Sequence, residues 1–219
     1  MRGVKVIKLW AFAVSFLFYV EVFYASSSQS PQAKPFTLEE LKKLENGEVV
    51  FSHEERKISE KEQASLLVVS VLITQPEEVL WEVLDHPERE KEWLPFVKKS
   101  EVVKDYRPTH STRVNVTDYV VAGFGIEVYY SLVREYDYSA KKIVGHLDKT
   151  RPHKYFVDIH NWWNFYPYKT GIIFQYSSDS RLVIDIPRVI SEKLAEKNLI
   201  AGIGAIRKRC NFIAEEMGL

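Results

Sequence analysis

The sequence predicts an α+β domain in which an antiparallel sheet of about seven strands is closed by one long C-terminal helix. Three observations lead there. Ser70–Val103 reads as a strand, a proline-started helix, a second short helix and a strand, so a two-helix elbow joins the first two strands of the sheet. From Phe96 onward, alternating apolar and polar stretches follow one another between turn signals. From Pro187 to about Met217 the apolar residues recur at helical spacing instead.

The chain begins differently. Arg2, Lys5 and Lys8 precede an uncharged apolar run, Leu9–Val20, and Ala25 stands before a serine-rich stretch. That order is expected of a secretory signal peptide over residues 1–25. The run is shorter than the ~20 apolar residues of a spanning helix. The bulky Phe23 fits a cleavage site poorly, so an uncleaved anchor stays open. Residues 26–36 read as a linker and 37–219 as one domain. The expected location is periplasmic or secreted, and membrane-anchored if the first segment is retained. Residues 1–25 hold three basic groups and one acidic; without them 27 basic residues face 29 acidic, too balanced for a nucleic-acid partner. The single cysteine, Cys210, excludes an internal disulfide, and on an apolar helix face it reads as a buried, inert thiol.

Within the domain, Thr37-Leu-Glu-Glu40 has capping-box spacing and predicts a helix over Leu38–Glu45, stopped by Asn46-Gly47. Glu48–His53 reads as a short strand, and the charged EERKISEKEQ after it as a solvated hairpin or turn. Leu66–Thr74 is a β-branched run suited to a strand covered on both faces. Pro76 starts the first elbow helix, where Val79, Leu80, Val83 and Leu84 recur at helical spacing; Pro87 starts the second. Further strands are expected near Val97–Lys104, Thr112–Val121, Gly125–Tyr136, Lys142–Asp148, Asn161–Tyr166 and Gly171–Ser177. Lys149–His160 reads as a loop or flap. In the closing helix Ile203, Ile206, Cys210, Ile213 and Met217 form a narrow apolar stripe. Gly202 and Gly204 interrupt that helix at roughly 1 kcal/mol each, offset either by close packing on the sheet or by room left for a ligand.

No nucleophile-elbow, zinc-protease, phosphate-loop or dinucleotide motif occurs, so no catalytic residue, metal site or cofactor is expected. His153, Asp158 and His160 come nearest to a zinc set, at a spacing that matches no known pattern, and read as loop polars. Asn115-Val-Thr117 matches a glycosylation sequon inside a predicted strand. The aromatic density says more. Trp162, Trp163, Phe165, Tyr166 and Tyr168 crowd one strand and its turn; Tyr129, Tyr130, Tyr136 and Tyr138 crowd another. Cross-strand packing accounts for such crowding, and so does the wall of an apolar pocket. Trp162 and Trp163 fall on opposite faces, so at most one lines such a pocket. Arg134 shares a face with Tyr130 and Leu132, where a charge needs a partner: a salt bridge at the sheet rim, or a ligand head group.

The element order and several residues together resemble the START-like (SRPBCC) superfamily of helix-grip folds, nearest its polyketide cyclase/dehydrase and coenzyme-Q-binding branch. The resemblance rests on Val69–Thr74, on Pro76, Glu78, Trp81 and Leu84-Asp85, and on Trp93-Leu-Pro-Phe-Val97. Tyr130, Thr170–Tyr176 and the helix after Asp185-Ile-Pro187 extend it, so that it spans about Gly47–Met217. It implies a curved sheet gripping the C-terminal helix around a hydrophobic cavity. Members of that superfamily bind lipids, isoprenoid quinones, sterols, polyketides or plant hormones, with or without chemistry.

The candidates to line that cavity are Trp93 and Phe96 of the elbow, Val116 and Phe124, and Val128, Tyr130, Leu132 and Arg134 of one strand. Trp162, Phe174 and the helix residues Gly202, Ile203 and Ile206 complete the set. The leading expectation is a monomer that binds, and transfers, a lipid or isoprenoid, with transient membrane contact and no reaction. Lys149–His160 and the elbow around Trp93 would gate the cavity, Asp85 would orient the elbow, and Trp81 would pack under the sheet. A cyclase or dehydratase using Arg134, Tyr130 or His160, and an interaction module with a filled cavity, are the alternatives.

Overall fold

Capping starts the domain as the spacing predicts. Thr37 Oγ1 accepts from the Glu40 amide, and the Glu40 carboxylate accepts from the Thr37 amide at 2.7 Å, which sets the start of helix α1 (Leu38–Glu45). The structure, a computed structural model, describes residues 36–123, 126–169, 171–183 and 188–219. The expected signal segment, residues 26–35 of the linker, Phe124 and Asp185–Pro187 lie outside the described residues.

Strand β1 (Val50–Lys57) pairs antiparallel with β2 (Glu62–Ile73), and the charged EERKISEKEQ segment makes their hairpin. The sheet therefore has eight strands instead of seven, and the elbow joins its second and third strands in sequence, not its first and second. The elbow consists of α2 (Glu77–Leu84), a 3-10 turn over Pro87–Arg89, and α3 (Glu90–Trp93). Strands β3 (Val97–Thr109), β4 (Thr112–Gly123), β5 (Ile126–Asp137), β6 (Lys142–Leu147), β7 (Phe156–Tyr168) and β8 (Gly171–Val183) follow. Helix α4 (Arg188–Met217) closes the chain. The strand order is β1-β2-β8-β7-β6-β5-β4-β3: six strands in a meander, with β2 returning to pair with β8. The result is an open, curved antiparallel sheet with a long helix against it.

Register decides which side chains face that helix. Arg113, Asn115, Thr117, Tyr119 and Val121 of β4 stand opposite Tyr136, Arg134, Leu132, Tyr130 and Val128 of β5, all on the inner face. α4 lies on this face: its Ile203, Ile206, Cys210, Ile213 and Ala214 join Val69, Val71, Ile73, Phe165 and Phe174 of the sheet, together with Val79, Leu80, Val83 and Leu84 of α2. The stripe ends at Ala214, because Met217 is exposed. Burial pushes the Cys210 thiol up to about 12, which leaves it inert near neutral pH. Trp81 packs edge-on against Phe165, ring centres 4.6 Å apart. A second, smaller cluster of Val97, Tyr119, Leu132, Leu147 and Ile159 sits at the elbow end of the sheet.

The expected flap over Lys149–His160 is not one. Phe156–His160 belongs to β7, and a bulge between Phe156 and Asp158 breaks the alternation that would have marked it as strand. What remains as loop is fastened to the outer face of β4 and β5. Arg151 grips Asp118 with Nε at 2.9 Å and Nη2 at 2.6 Å, and the Lys154 amide donates to the Tyr129 carbonyl at 2.9 Å. The sequon is likewise unavailable in the folded chain. Asn115 is fully buried, donating from Nδ2 to the Tyr136 hydroxyl at 3.1 Å and accepting from Thr117 at 3.1 Å.

Candidate functional site

The two apolar clusters do not merge, and a cavity of about 150 Å³ lies between them. Its floor is the inner face of the sheet, where alternation presents Tyr119 and Val121 of β4, Tyr130, Leu132 and Arg134 of β5, Asn161 and Trp163 of β7, and Tyr176 of β8. Trp93 at the end of the elbow, Leu94 and Phe96 after it, and Val97 at the start of β3 form one wall, and Leu199, Gly202, Ile203 and Ile206 of α4 form the roof. Gly202 permits the roof to come down: a Cβ there would stand 3.1 Å from Phe96 Cζ. Gly204 has open space around it and belongs to a separate outer groove, which Trp93 also lines.

One end of the cavity is polar. Arg134 is 5% exposed and donates through Nη1 and Nη2 to both oxygens of Glu90, at 2.8 and 3.2 Å. Glu90, also 5% exposed, arrives from the first residue of α3. The guanidinium lies over the rings of Tyr119 and Trp163, 5.3 and 5.0 Å from their centres. Burial alone would pull the guanidinium toward its neutral form; the Glu90 carboxylate beside it outweighs that, so Arg134 is held firmly charged. Burial also raises the phenols of Tyr119 and Tyr130, and pushes Tyr176 up to about 12, so all three stay protonated near neutral pH.

Of the residues expected to line a cavity, Trp93, Phe96, Tyr130, Leu132, Arg134, Gly202, Ile203 and Ile206 are brought together on its wall. The others are elsewhere. Val116 is one residue off the inner-facing set of β4, on the opposite face from Thr117. Val128 shares the inner face but lies beyond the cavity, and Phe174 is fully buried in the larger cluster. Trp162 turns to the outer face, beside His160; its neighbour Trp163, opposite Ile143 and Tyr176, takes the cavity position. Arg134 is not at the sheet rim but buried in an ion pair. His160 and Asp158 lie on the outer face of β7, with Asp158 bridged to Lys149 at 3.1 Å. His153 stands in the loop, its Nδ1 2.9 Å from the Arg151 carbonyl oxygen. Asp85 does orient the elbow, accepting from Tyr138 at 2.7 Å and from Arg113.

Among the polar and aromatic residues of the wall, sequence reasoning missed Glu90, Tyr119, Asn161, Trp163 and Tyr176. Asn161 and Trp163 follow once Ile159 and Phe165, both apolar, are used to set the inner parity of β7; Tyr176 and Tyr119 follow only from their register partners Trp163 and Tyr130. Glu90 sits in the charged run EREKE, which reads as solvated, and nothing in its spacing separates it from its neighbours.

A sequence family described as polyketide cyclase / dehydrase and lipid transport matches residues 73–201 of the chain. This protein belongs to that family. The matched stretch contains the elbow, β3 to β8 and α4 as far as Ala201, just short of its cavity residues Gly202, Ile203 and Ile206. Among solved structures of similar fold is a START superfamily protein from Mycobacterium smegmatis, with TM-score 0.56 and 15% identity over 68% of this chain and 98% of that one. Another is the Zhui aromatase/cyclase from Streptomyces sp. R1128, with TM-score 0.54 and 14% identity over 74% and 94% of the two chains. A STAR-related lipid transfer protein from Xanthomonas axonopodis gives TM-score 0.56 and 13% identity over 73% and 98%. Identities this low establish the START-like fold of this family member and leave its ligand open. No protein of curated function matches it in sequence.

Proposed function

We propose that this family member binds a hydrophobic small molecule, a lipid or an isoprenoid or quinone-like compound, between the sheet and α4, and carries it as a monomer outside the cytoplasm. The observation behind this reading is the cavity: apolar over most of its wall, with a buried polar cluster at one end. A volume of about 150 Å³ is what a single ring fills. A ring or chain end therefore occupies it, and any longer tail leaves past Trp93, which lines both the cavity and the outer groove. Burial of apolar area, at roughly 25 cal/mol per Å², drives binding without a reaction. Extracytoplasmic location rests on the basic start and apolar run of residues 1–25 alone. The monomer rests on the charged edge strand β1 and on the irregular pairing of edge strand β3, both poor templates for a second sheet.

A cyclase would need an acid or base facing a bound substrate. Among the described residues Glu90 is the one carboxylate on the wall, and Arg134 already holds it. The test is to purify the protein from its own host, extract it and identify bound compounds by mass spectrometry. An apolar compound present in the wild type and absent from Ile206→Trp, which fills the cavity, is expected. Identical extracts from the two would overturn the reading.

A further inference from the structure

Four cross-strand steps place Asn115, Arg134, Gly145, Asn161 and Ser178 in one row across the inner face. Gly145 gives that row a notch between Arg134 and Asn161. A Cβ there would come within 3.0 Å of the Trp163 ring, so the glycine is what lets this ring lie flat beside the guanidinium. Arg134 and Asn161 are thereby kept two strand spacings apart, about 10 Å between backbones, with the polar end of the cavity above them.

Hydrogen-bonding capacity is left over at this end. Arg134 Nε, Asn161 Oδ1 and the Tyr119 hydroxyl are buried and find no partner among the described residues. Orphaned buried polar atoms are rare in proteins because each costs a lost hydrogen bond with water. Here the three belong to residues that line one cavity. Charge, by contrast, is not left over. Both terminal nitrogens of Arg134 donate to the Glu90 carboxylate, so the pair presents no net charge to a ligand. A carboxylate head group would bring an uncompensated anion beside Glu90, and an ammonium would bring a cation beside Arg134; neither is tolerated in a buried site.

We infer that the cavity selects an uncharged head group that both accepts and donates a hydrogen bond, a hydroxyl on a ring or chain, and that Glu90 sets this selectivity by neutralising Arg134. One hydroxyl oxygen accepts from Arg134 Nε and gives its own proton to Asn161 Oδ1, the unpartnered carbonyl acceptor of the three. The inference rests on the hydrophobic-ligand reading above and adds the charge class of the ligand.

Three ring-sized probes of matched shape test it: 4-butylphenol, 4-butylbenzoate and butylbenzene, titrated calorimetrically into the full chain at neutral pH. The phenol is expected to bind wild type about tenfold more tightly than butylbenzene, the worth of one net hydrogen bond, and the benzoate more weakly than either. Glu90→Gln frees the arginine charge and should reverse the order of phenol and benzoate. Asn161→Leu leaves the ion pair intact and should erase the phenol's advantage while butylbenzene binds as before, a result that does not depend on Glu90→Gln folding. Equal binding of benzoate and phenol to wild type, or a phenol advantage untouched by Asn161→Leu, would overturn the head-group inference alone. Failure of all three probes, butylbenzene included, would overturn the binding reading and this inference with it.

Discussion

Glu90 and Arg134 meet in the interior from positions 44 residues apart, one on a single-turn helix and one in mid-sheet. Two buried charges cost several kcal/mol each to desolvate, and their attraction returns that only while both are present. Glu90→Ala is therefore expected to destabilise the fold by about 3–5 kcal/mol, and the paired change Glu90→Leu with Arg134→Met to recover most of the loss. Urea midpoints at unchanged m-value measure both; a single variant as stable as wild type would mean that water reaches the pair. Period two in a strand makes single-residue assignments brittle for the same kind of side chain. Trp162 and Trp163 are equally apolar and adjacent, and only the parity fixed by Ile159 and Phe165 separates wall from outer face. Val116 was misplaced because β4 turns its polar Arg113, Asn115 and Thr117 to the inner face and Val116 to the other, whereas Tyr130 and Leu132 mark the inner face of β5, with Arg134 in step, and were legible.

At the level of elements, the elbow is held to the sheet by residues distant in sequence. Arg113 donates to both Asp105 oxygens at 2.8 Å and also reaches the Asp85 carbonyl, and Ser100 donates to the Pro87 carbonyl. Arg113→Met should cost about 2–3 kcal/mol in lost charged hydrogen bonds. It should also speed amide exchange in residues 85–93 more than in β7; equal acceleration of both would count against the pin. In α4 the two glycines separate by surroundings. Gly204→Ala meets nothing and should gain up to about 1 kcal/mol. Gly202→Ala must push Phe96 aside and should gain less or lose stability. Thermal melts of the two variants give the order, and the opposite order would refute the packing account. The elbow was readable because proline, helical spacing and turn residues agree there. β7 was readable only in part, since its bulge and its polar outer residues Asp158 and His160 imitate a loop.

For the whole molecule, acid weakens the fold in two stages. His146 of β6, half-buried and paired with His160, is held below the ordinary 6.5 by burial. Its folded form resists a proton that the unfolded chain takes up, so stability is full above pH 6.5 and drains as pH falls below it. His146→Gln should flatten the change in urea midpoint between about pH 7 and pH 5; an unchanged slope would place the effect elsewhere. The second stage comes in stronger acid. Arg113 holds the Asp105 carboxyl below its usual range, and its contribution is lost as pH falls through that lowered value. The fold class was legible because strands, elbow and closing helix carry separate periodicities. The eighth strand, β1, was legible only over its first half, as the short strand read at Glu48–His53; its second half alternates too, but with the charged Glu54, Glu55, Arg56 and Lys57 on both faces, which reads as a solvated turn.

The return of β2 to β8 also has a consequence in time. Ser70 and Gln175, hydrogen-bonded neighbours in the sheet, are 105 residues apart. At ribosomal rates of about 5–20 residues per second, the apolar edge of β2 waits roughly 5–20 s for its partner to be synthesised. The strands β3 to β8 assemble meanwhile by local hairpins, and loop closure over the full span comes last and slowest. A nascent chain halted before Gly171 should keep β2 open to protease, and extension through Val183 should protect it.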